Sequence, residues 1–490
     1  MKPSYLIAAS ILVATSLLSP GCSDKTPSGP VPGLGNVTIA KYVAIGDSYA
    51  AGYQSNALYA SGQKYSYPAL IAQQLNSAGA GLGMFELPLY SDPGNPDATG
   101  HAARYEIISL VGPVIGPAGL APGAPANLSL PRPYDNLGVP GAIVYDFLDT
   151  TNVVAKAGPP RDNPFFQLVL RNQQAFGKRI LDQARALHPD LVTFWLGGND
   201  VLGFATSGGV SPSTPTPSGL FAVLYAQALD SLRASLPNAK ILVGNLADIT
   251  ALPFFSTIGP RIAAELPSGL YLRYQKHGNT SFALDSTRFT ETNPPMITLT
   301  GGVYAPYLGR AGGQGGGKWY EDHADLYPGL PPGIDTTKPF GFHPQNPWPD
   351  ALVLDADEQA SVSSAVSAYN VTIDAMAAAH GAFVVDFKTF FDGVKLNGYN
   401  IAGQKLTVDY VSGGIFSLDG VHPSSRGYAM IANQFIQVMN EKLGTSVPYV
   451  DFSTIPGIPA PLARLAGRGG MPSIPNEAFR DLGWLWGGKR

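Results

Sequence analysis

Short apolar runs alternate with long amphipathic segments along this chain, and that alternation constrains its fold more than any other feature. The first run, residues 39–45, has the continuous hydrophobicity of a strand that is buried on both faces. Further strands are predicted over 191–196, 241–244 and 382–385, and helices over 67–77, 166–187, 220–236, 358–380 and 427–443. Strands that alternate with helices form a parallel sheet covered by helices on both faces, because parallel neighbours need long crossover connections.

Three stretches depart from this alternation. Residues 79–135 (the first insertion) and 251–350 (the second insertion) are rich in Gly, Pro and aromatic residues. Structureless loops of that length are uncommon inside a compact domain, so we predict hairpins and short helices that wall the active-site end of the sheet. Residues 444–490 form a Pro/Gly-rich extension to which the sequence assigns no role. The predicted domain therefore covers residues 39–443.

The N-terminus has the layout of an export signal. Lys2 precedes an apolar run over residues 5–18 that is too short to span a bilayer. Cys22, the single cysteine of the chain, follows Gly21 at the end of this region. The arrangement resembles a bacterial lipobox, which implies that residues 1–22 contain the signal peptide and lipobox and that Cys22 carries lipid. The implied location is the cell envelope, at the outer membrane.

A tether is predicted between this anchor and the domain. Residues 23–38 contain Pro, Gly and Ser with little apolar periodicity. If Cys22 carries the lipid, no disulfide can form within the mature chain, so stability must come from the core. The alternative is ordinary secretion, with Cys22 an incidental cysteine.

Composition argues against nucleic acid and metal ions as partners. The formal net charge is −4 and the pI about 6.0, so no basic face for nucleic acid is expected. The sequence has neither an HExxH motif nor a group of His and Asp residues at metal-ligand spacing. We therefore expect no cofactor and no metal.

Four short segments at predicted strand ends and helix starts together contain every group that acyl transfer requires. They are Gly-Asp-Ser-Tyr at 46–49, Asn-Leu-Gly-Val-Pro-Gly at 136–141, Gly-Gly-Asn-Asp at 197–200 and Asp-Gly-Val-His-Pro at 419–423. A Gly-Asp-Ser triplet alone is weak evidence, because average residue usage places one in roughly a tenth of chains of this length. The ordered set of four, each at an expected element boundary, is much more specific.

The chemistry of these segments indicates a nucleophilic serine. Ser48 follows a buried strand, at the sheet edge where open α/β proteins bind ligands. His422 can remove the hydroxyl proton, and Asp419, three residues earlier, can orient the imidazole and stabilise its charged form. The backbone N–H groups of Ser48 and Gly141 and the side-chain amide of Asn199 are candidate donors to the oxyanion of a tetrahedral intermediate.

Each of these residues also has a structural alternative. Asp47 and Ser48 are favoured at the start of a helix, where they would cap the segment after the strand. Gly141 and Asn199 are common in turns that need a left-handed backbone. Asp419 would serve equally well as the N-cap of the last helix. Taken alone, the capping role would be the better explanation of Asp47 and Ser48, and a cap at Asp419 is compatible with catalysis. The complete ordered set favours catalysis over these alternatives.

The four segments resemble blocks I, II, III and V of the SGNH hydrolase family, also called GDSL. The resemblance spans residues 42–443 and implies a flavodoxin-like three-layer α/β/α sandwich with a five-stranded parallel sheet. It also implies that Ser48, Asp419 and His422 form the catalytic triad, while the oxyanion hole consists of the donors named above. Tyr49 stands where the family usually has leucine, a change that we expect to matter little.

The resulting hypothesis is a serine-dependent carboxylic ester hydrolase, an esterase or lipase that works through an acyl-serine intermediate. Its expected partners are an ester substrate or acyl lipid, and the membrane through the lipid anchor. Aromatic residues of the second insertion favour a hydrophobic acyl group over acetyl; they are Phe254, Phe255, Tyr304, Tyr307, Trp319, Tyr320, Phe340 and Phe342. The alternatives are an acyltransferase or carbohydrate O-deacetylase that uses the same triad, and a surface-binding lipoprotein without catalysis.

Overall fold

The structure is a computed structural model, and Pro32–Arg490 form one compact unit, distinct from Met1–Val31. It describes residues 31–97, 99–109, 114–117, 119–153, 163–210, 215–266, 271–276, 284–288, 296–401, 403–457 and 474. The predicted signal peptide with Cys22 and most of the predicted C-terminal extension therefore lie outside the described residues. Among the helices that are described, none is long and apolar enough to cross a membrane.

Five parallel strands form the central sheet. They are β1 (Tyr42–Gly46), β2 (Asn136–Gly138), β3 (Leu191–Trp195), β4 (Lys240–Gly244) and β5 (Phe383–Val385). Their order across the sheet is β2-β1-β3-β4-β5, which is the flavodoxin-like order. All residues of β1 are buried. The chain runs from β1 to β2 on one side and continues to β3 on the other, so the order reverses at β1 and β3, where ligands bind in such sheets.

Helices cover both faces of this sheet. The principal helices are α1 (Ser48–Ala51), α2 (Tyr67–Ser77), α3 (Asn199–Thr206), α4 (Ser218–Ser235), α5 (Ala356–Ala379), α6 (Phe387–Asn397) and α7 (Ser425–Leu443). Successive residues of a strand point to opposite faces. Phe194 of β3 contacts Tyr225 of α4 on one face. Trp195 contacts Tyr67 of α2 and Phe435 of α7 on the other. The predicted three-layer α/β/α sandwich is confirmed.

Most predicted helices form within two residues of their expected bounds, but the helix predicted over 166–187 is wrong. That stretch folds as three short helices, Pro164–Val169, Gln173–Phe176 and Ile180–Ala186. Asn172 and Gly177 interrupt it with φ values of +54° and +101°, which a right-handed helix does not accommodate.

In the described parts of the two insertions, the chain forms short elements. The first insertion carries an antiparallel hairpin, Tyr105–Ser109 with Val114–Pro117. The described part of the second insertion contains the helices Pro253–Ser256, Ile258–Glu265 and Lys318–Asp322 and the strands Tyr271–Gln275, Leu284–Arg288 and Met296–Ile297. Other short elements are the helix Ala60–Gln63, the strand pair Tyr399–Ile401 with Gln404–Leu406, and the strand Val353–Leu354. Helical turns of the 3₁₀ type cover Val144–Phe147, Ile249–Ala251, Leu299–Val303, Ala305–Tyr307, Gly312–Gln314, Asp350–Leu352 and Phe452–Thr454.

The packed body extends beyond the predicted domain limits of 39 and 443. Gly33, inside the predicted tether, exchanges two backbone hydrogen bonds with Ser446 at 3.3 and 2.8 Å. Val447 and Val450 are buried after the last helix. The described residues at the end of the predicted tether and at the start of the predicted extension therefore pack against the domain.

Candidate active site

Ser48 follows the carboxyl end of β1 and is the first residue of α1. Asp47 is the N-cap of this helix, and one of its carboxylate oxygens accepts the Tyr49 backbone N–H at 2.9 Å. The Ser48 side chain is buried, with 3% of the residue exposed. Asp47 therefore caps the helix while Ser48 lies at the sheet edge, so the capping role does not exclude a catalytic one.

Asp419 and His422 share a turn immediately before α7. One Asp419 carboxylate oxygen accepts the backbone N–H groups of Val421 and His422, at 2.9 and 2.8 Å. The N-cap of α7 is Ser424, whose hydroxyl accepts the Gly427 N–H. Asp419 is therefore not the cap of the last helix, and its side chain organises the turn that presents the histidine.

The fold brings these two segments together across 374 positions of sequence. His422 Nε2 lies 3.0 Å from Ser48 Oγ. On the other side of the ring, His422 Nδ1 lies 3.1 Å from Asp419 Oδ2. All three residues are at least 97% buried, which limits competition from water for these hydrogen bonds. The arrangement can activate a serine hydroxyl by removing its proton.

Two carboxyl groups near His422 have shifted pKa values, in opposite directions. Burial opposes ionisation of Asp419, but the His422 charge and the hydrogen bonds from His422 and Asn56 outweigh it and lower the pKa. Burial raises the pKa of Asp47 to about 6, although the Tyr49 N–H and the His422 charge act against that change. Asp419 is therefore a carboxylate at neutral pH, whereas Asp47 titrates in mildly acidic solution.

Gly141 occupies the third position of a tight turn after β2. The Val139 carbonyl accepts the Ala142 N–H at 3.0 Å, with Pro140 and Gly141 between them. Gly141 has a φ of +79°, which fits a type II turn and favours glycine at this position. The Pro140 carbonyl accepts the Asn163 side-chain amide at 2.7 Å. Because the carbonyl and N–H of one trans peptide point in opposite directions, this bond also restrains the Gly141 N–H.

Asn199 connects this turn to the end of β3. It is the first residue of α3, and its side-chain amide donates to the Ala142 carbonyl at 2.9 Å. The next residue, Asp200, accepts the Val144 N–H at 3.0 Å. The third sequence segment is thus hydrogen-bonded to the residues immediately after the second, and Asn199 lines the same pocket as Ser48.

The sequence of residues 42–284 matches the family described as GDSL-like Lipase/Acylhydrolase. The match includes Ser48, Gly141 and Asn199, and the structure adds Asp419 and His422 from beyond it. The chain carries a GDSL-like lipase/acylhydrolase domain. At the level of this family, the protein is a serine ester hydrolase that acts on ester or lipid substrates.

Solved structures with low sequence identity also resemble this GDSL domain. One, described as a GDSL-like lipase from Parabacteroides merdae, is 14% identical, with a TM-score of 0.34 and coverage of 84% of this chain and 100% of its own. Phospholipase A1 from Streptomyces albidoflavus is 13% identical, with a TM-score of 0.31 and coverages of 83% and 100%. An extracellular lipase from Streptomyces rimosus is 13% identical, with a TM-score of 0.30 and coverages of 83% and 99%. A comparison with curated protein sequences finds no match.

A largely apolar pocket opens beside Ser48 in the GDSL domain. The space between its walls, including the open mouth, is about 820 Å³. Its apolar lining includes Trp195, Leu202, Leu246, Ile249, Leu252 and Phe416. Lys395 and Asp248, which form an ion pair at 3.6 Å, add charge to this lining.

The aromatic residues that suggested an acyl site do not line this pocket. Six of the eight, including Phe254 and Trp319, are buried in the core, and Tyr307 and Phe342 are partly buried. They pack against one another, as in the contact of 5.1 Å between the Tyr304 and Trp319 ring centres. Of the described residues of the second insertion, Ala251 and Leu252 reach this pocket, and the Phe254 N–H donates to the Gly420 carbonyl at 3.0 Å, beside His422.

Tyr49 and Asn56 contact the GDSL site in ways that motif reading missed. The Tyr49 hydroxyl donates to the Val421 carbonyl at 2.8 Å, and its ring lies 5.8 Å from the His422 ring. The Asn56 backbone N–H donates to Asp419 Oδ2 at 2.9 Å. The sequence signal for Tyr49 was its departure from the usual leucine. For Asn56 the only signal was that asparagine tolerates a left-handed backbone.

Proposed function

We propose that this protein hydrolyses carboxylic esters of hydrophobic acyl groups through an acyl-enzyme intermediate on Ser48. The observation that carries the proposal is the continuous hydrogen-bonded series from Ser48 Oγ through the His422 ring to Asp419, at 3.0 and 3.1 Å. A serine used only as a helix cap has no need of a buried histidine and carboxylate behind it.

In the proposed first half-reaction, Ser48 Oγ attacks the ester carbonyl carbon while its proton moves to His422 Nε2. The Asp419 carboxylate stabilises the resulting imidazolium and holds its orientation. Collapse of the tetrahedral intermediate breaks the bond to the alcohol oxygen, which receives the proton from Nε2. Water then attacks the acyl-serine by the same proton transfers, releasing the acid and restoring the Ser48 hydroxyl.

The proposed oxyanion donors are the N–H groups of Ser48 and Gly141 and the side-chain amide of Asn199. The hydrogen bonds of Asn163 to Pro140 and of Asn199 to Ala142 support this assignment, since they fix the donor groups before substrate binds. Donors held in advance stabilise developing charge without reorganisation during the reaction, and one such donor is typically worth about a hundred- to a thousandfold in rate.

The pocket supports a hydrophobic acyl group over acetyl. Burial of each methylene in an apolar site contributes about 0.8 kcal/mol, or about fourfold in kcat/KM when the gain is expressed in the transition state. An acetyl group would leave most of the apolar lining in contact with water. A carbohydrate O-deacetylase is therefore the less favoured use of the same triad.

The test is hydrolysis of p-nitrophenyl esters from acetate to palmitate by residues 23–490, by its Ser48→Ala variant and by its Leu202→Trp variant. Loss of the nucleophile should lower kcat by several orders of magnitude, while Ser77→Ala, at an exposed serine, should not change it. Leu202→Trp fills the pocket and should reduce turnover of long esters more than that of acetate. Leu220→Trp, at an exposed position on α4, is the matched control.

Three outcomes would contradict this function. Equal turnover by wild type and Ser48→Ala would exclude Ser48 as the nucleophile. Release of p-nitrophenol with transfer of the acyl group to an added alcohol in preference to water would identify an acyltransferase. A folded wild type without turnover of any ester would favour a binding role.

We also propose that the protein is exported and anchored to the outer membrane by lipid on Cys22. The apolar run before this single cysteine supports the proposal. In fractionated cells, wild type should be in the membrane fraction and Cys22→Ala in the soluble fraction. Membrane association of Cys22→Ala equal to that of wild type would contradict lipid anchoring.

A further inference from the structure

A strained two-residue turn lies behind the triad aspartate. Gln54 and Ala57 exchange backbone hydrogen bonds at 3.1 and 3.2 Å, and Ser55 and Asn56 form the turn between them. Their φ values are +50° and +66°, the double left-handed geometry of a type I′ turn. Asparagine tolerates this conformation, but a left-handed backbone costs a residue such as serine about 1–2 kcal/mol.

Both turn residues bond to the chain that carries Asp419. The Asn56 N–H donates to Asp419 Oδ2 at 2.9 Å. The Ser55 N–H donates to Ser417 Oγ at 2.8 Å, and the Leu418 N–H donates to Ser55 Oγ at 3.3 Å. All these groups are at least partly buried, so the contacts are shielded from water.

The same turn is held from its other side by the first insertion. The Tyr105 N–H donates to the Ser55 carbonyl at 2.8 Å, and the Asn56 side-chain amide donates to the Ala103 carbonyl at 3.3 Å. The Tyr53 hydroxyl donates to the Asn56 carbonyl at 2.6 Å. Unfavourable backbone geometry persists only where surrounding contacts determine it, and it is concentrated at functional sites.

The position of the Asn56 donor indicates what this turn does. Asp419 Oδ1 is fixed by its own turn, through the Val421 and His422 N–H groups. Oδ2, the oxygen that faces His422 Nδ1, receives its second donor from Asn56. The remote N–H therefore determines where the oxygen that orients the imidazole lies.

We propose that the Ser55–Asn56 turn is a positioning element that holds Asp419 Oδ2 against His422. This inference rests on the proposed function, because it assigns Asp419 and His422 to the triad. The element contacts no reacting atom, so its effect should be on kcat.

Substitutions at Asn56 separate this role from simple packing. Asn56→Gly retains the N–H and accepts positive φ, Asn56→Ala accepts it at a cost, and the β-branched side chain of Asn56→Val opposes it strongly. With an ester substrate, kcat should be highest for Asn56→Gly, lower for Asn56→Ala and lowest for Asn56→Val, with little change in KM. We expect a loss of about ten- to a hundredfold for Val, below the roughly 10⁴-fold loss that follows replacement of a triad aspartate by asparagine.

Asn172 provides a matched control, because it is also an asparagine with a φ of +54° and lies in an exposed turn away from the pocket. The Gly, Ala and Val substitutions at Asn172 should change the thermal midpoint without changing kcat. All rates are measured well below the lowest midpoint. A second readout needs no substrate: the low-field NMR resonance of the proton between His422 Nδ1 and Asp419. This resonance should lose intensity or move to higher field in Asn56→Val and should be retained in Asn56→Gly.

Wild-type kcat and an unchanged resonance in folded Asn56→Val would overturn the positioning role. Equal losses of kcat in Asn56→Gly and Asn56→Val would also overturn it, since the N–H donor remains in the glycine variant. If Ser48→Ala were as active as wild type, the proposed function would fail, while the resonance would still decide whether the turn holds Asp419.

Discussion

Asp47 combines a local structural role with a titration that should affect stability. It caps α1 through the Tyr49 N–H, and burial raises its pKa to about 6 against the opposing effect of the His422 charge. The folded protein then binds this proton more tightly than the unfolded chain, in which the pKa is near 3.8. The free energy of unfolding that depends on Asp47 therefore falls as pH rises from about 4 to about 6, and is constant above.

Replacement of Asp47 by asparagine tests this sign. Asparagine is an equally good N-cap, so Asp47→Asn retains the helix start and removes the titration. Relative to wild type, the variant should gain about 1 to 3 kcal/mol in free energy of unfolding between pH 4 and pH 7. Urea unfolding of both proteins at pH 4, 5.5 and 7 measures this gain. A difference that stays constant over this range would show that Asp47 has an ordinary pKa.

At the same scale, the sequence identified the chemical groups of the site but not their supports. Ser48, Asp419 and His422 were predictable because acyl transfer restricts residue type and the motifs restrict spacing. The contacts of Tyr49 with Val421 and of Asn56 with Asp419 join segments more than 360 positions apart in the chain. No local pattern encodes such a pairing, so these supports became visible only in the folded chain.

At the scale of elements, prediction succeeded where burial and periodicity agreed. β1 is a continuous apolar run, and α7 has an apolar face against the sheet, so both carried a strong local signal. β2 has three residues and was not predicted, because Asn136 and Gly138 break its hydrophobicity. The prediction of one helix over 166–187 was wrong because Asn172 and Gly177 have positive φ values, which an amphipathic pattern does not reveal.

The pocket also belongs to this scale, and its lining could not be read from composition. Its walls come from residues after β3 and β4, from α6, and from the segment before His422, all of which converge at one edge of the sheet. The aromatic residues of the second insertion gave a misleading signal because Trp319 and Phe340 are used for packing. Large aromatic side chains bury much apolar area wherever they lie, so their abundance does not distinguish a pocket from a core.

For the whole molecule, the fold of the GDSL domain gathers the ends of two strands and parts of both insertions around one site. The order of the strands reverses at β1 and β3, and the groups that follow these strands, Ser48 and Asn199, line the pocket. The first insertion contacts the Ser55–Asn56 turn, and the second insertion supplies Leu252 to the pocket and bonds to the Asp419–His422 turn through the Phe254 N–H. Both insertions therefore contact the segments that present the triad, and the second insertion also reaches the pocket.

The central claim is that the buried His422–Asp419 pair activates Ser48 as a nucleophile. The most direct measurement is peptide mass spectrometry after reaction with a fluorophosphonate, which labels activated serines irrespective of the natural ester. We predict one adduct on the peptide that contains Ser48, no adduct in Ser48→Ala, and labelling slowed by orders of magnitude in His422→Gln. An adduct on another serine, or equally rapid labelling of wild type and folded His422→Gln, would contradict the account.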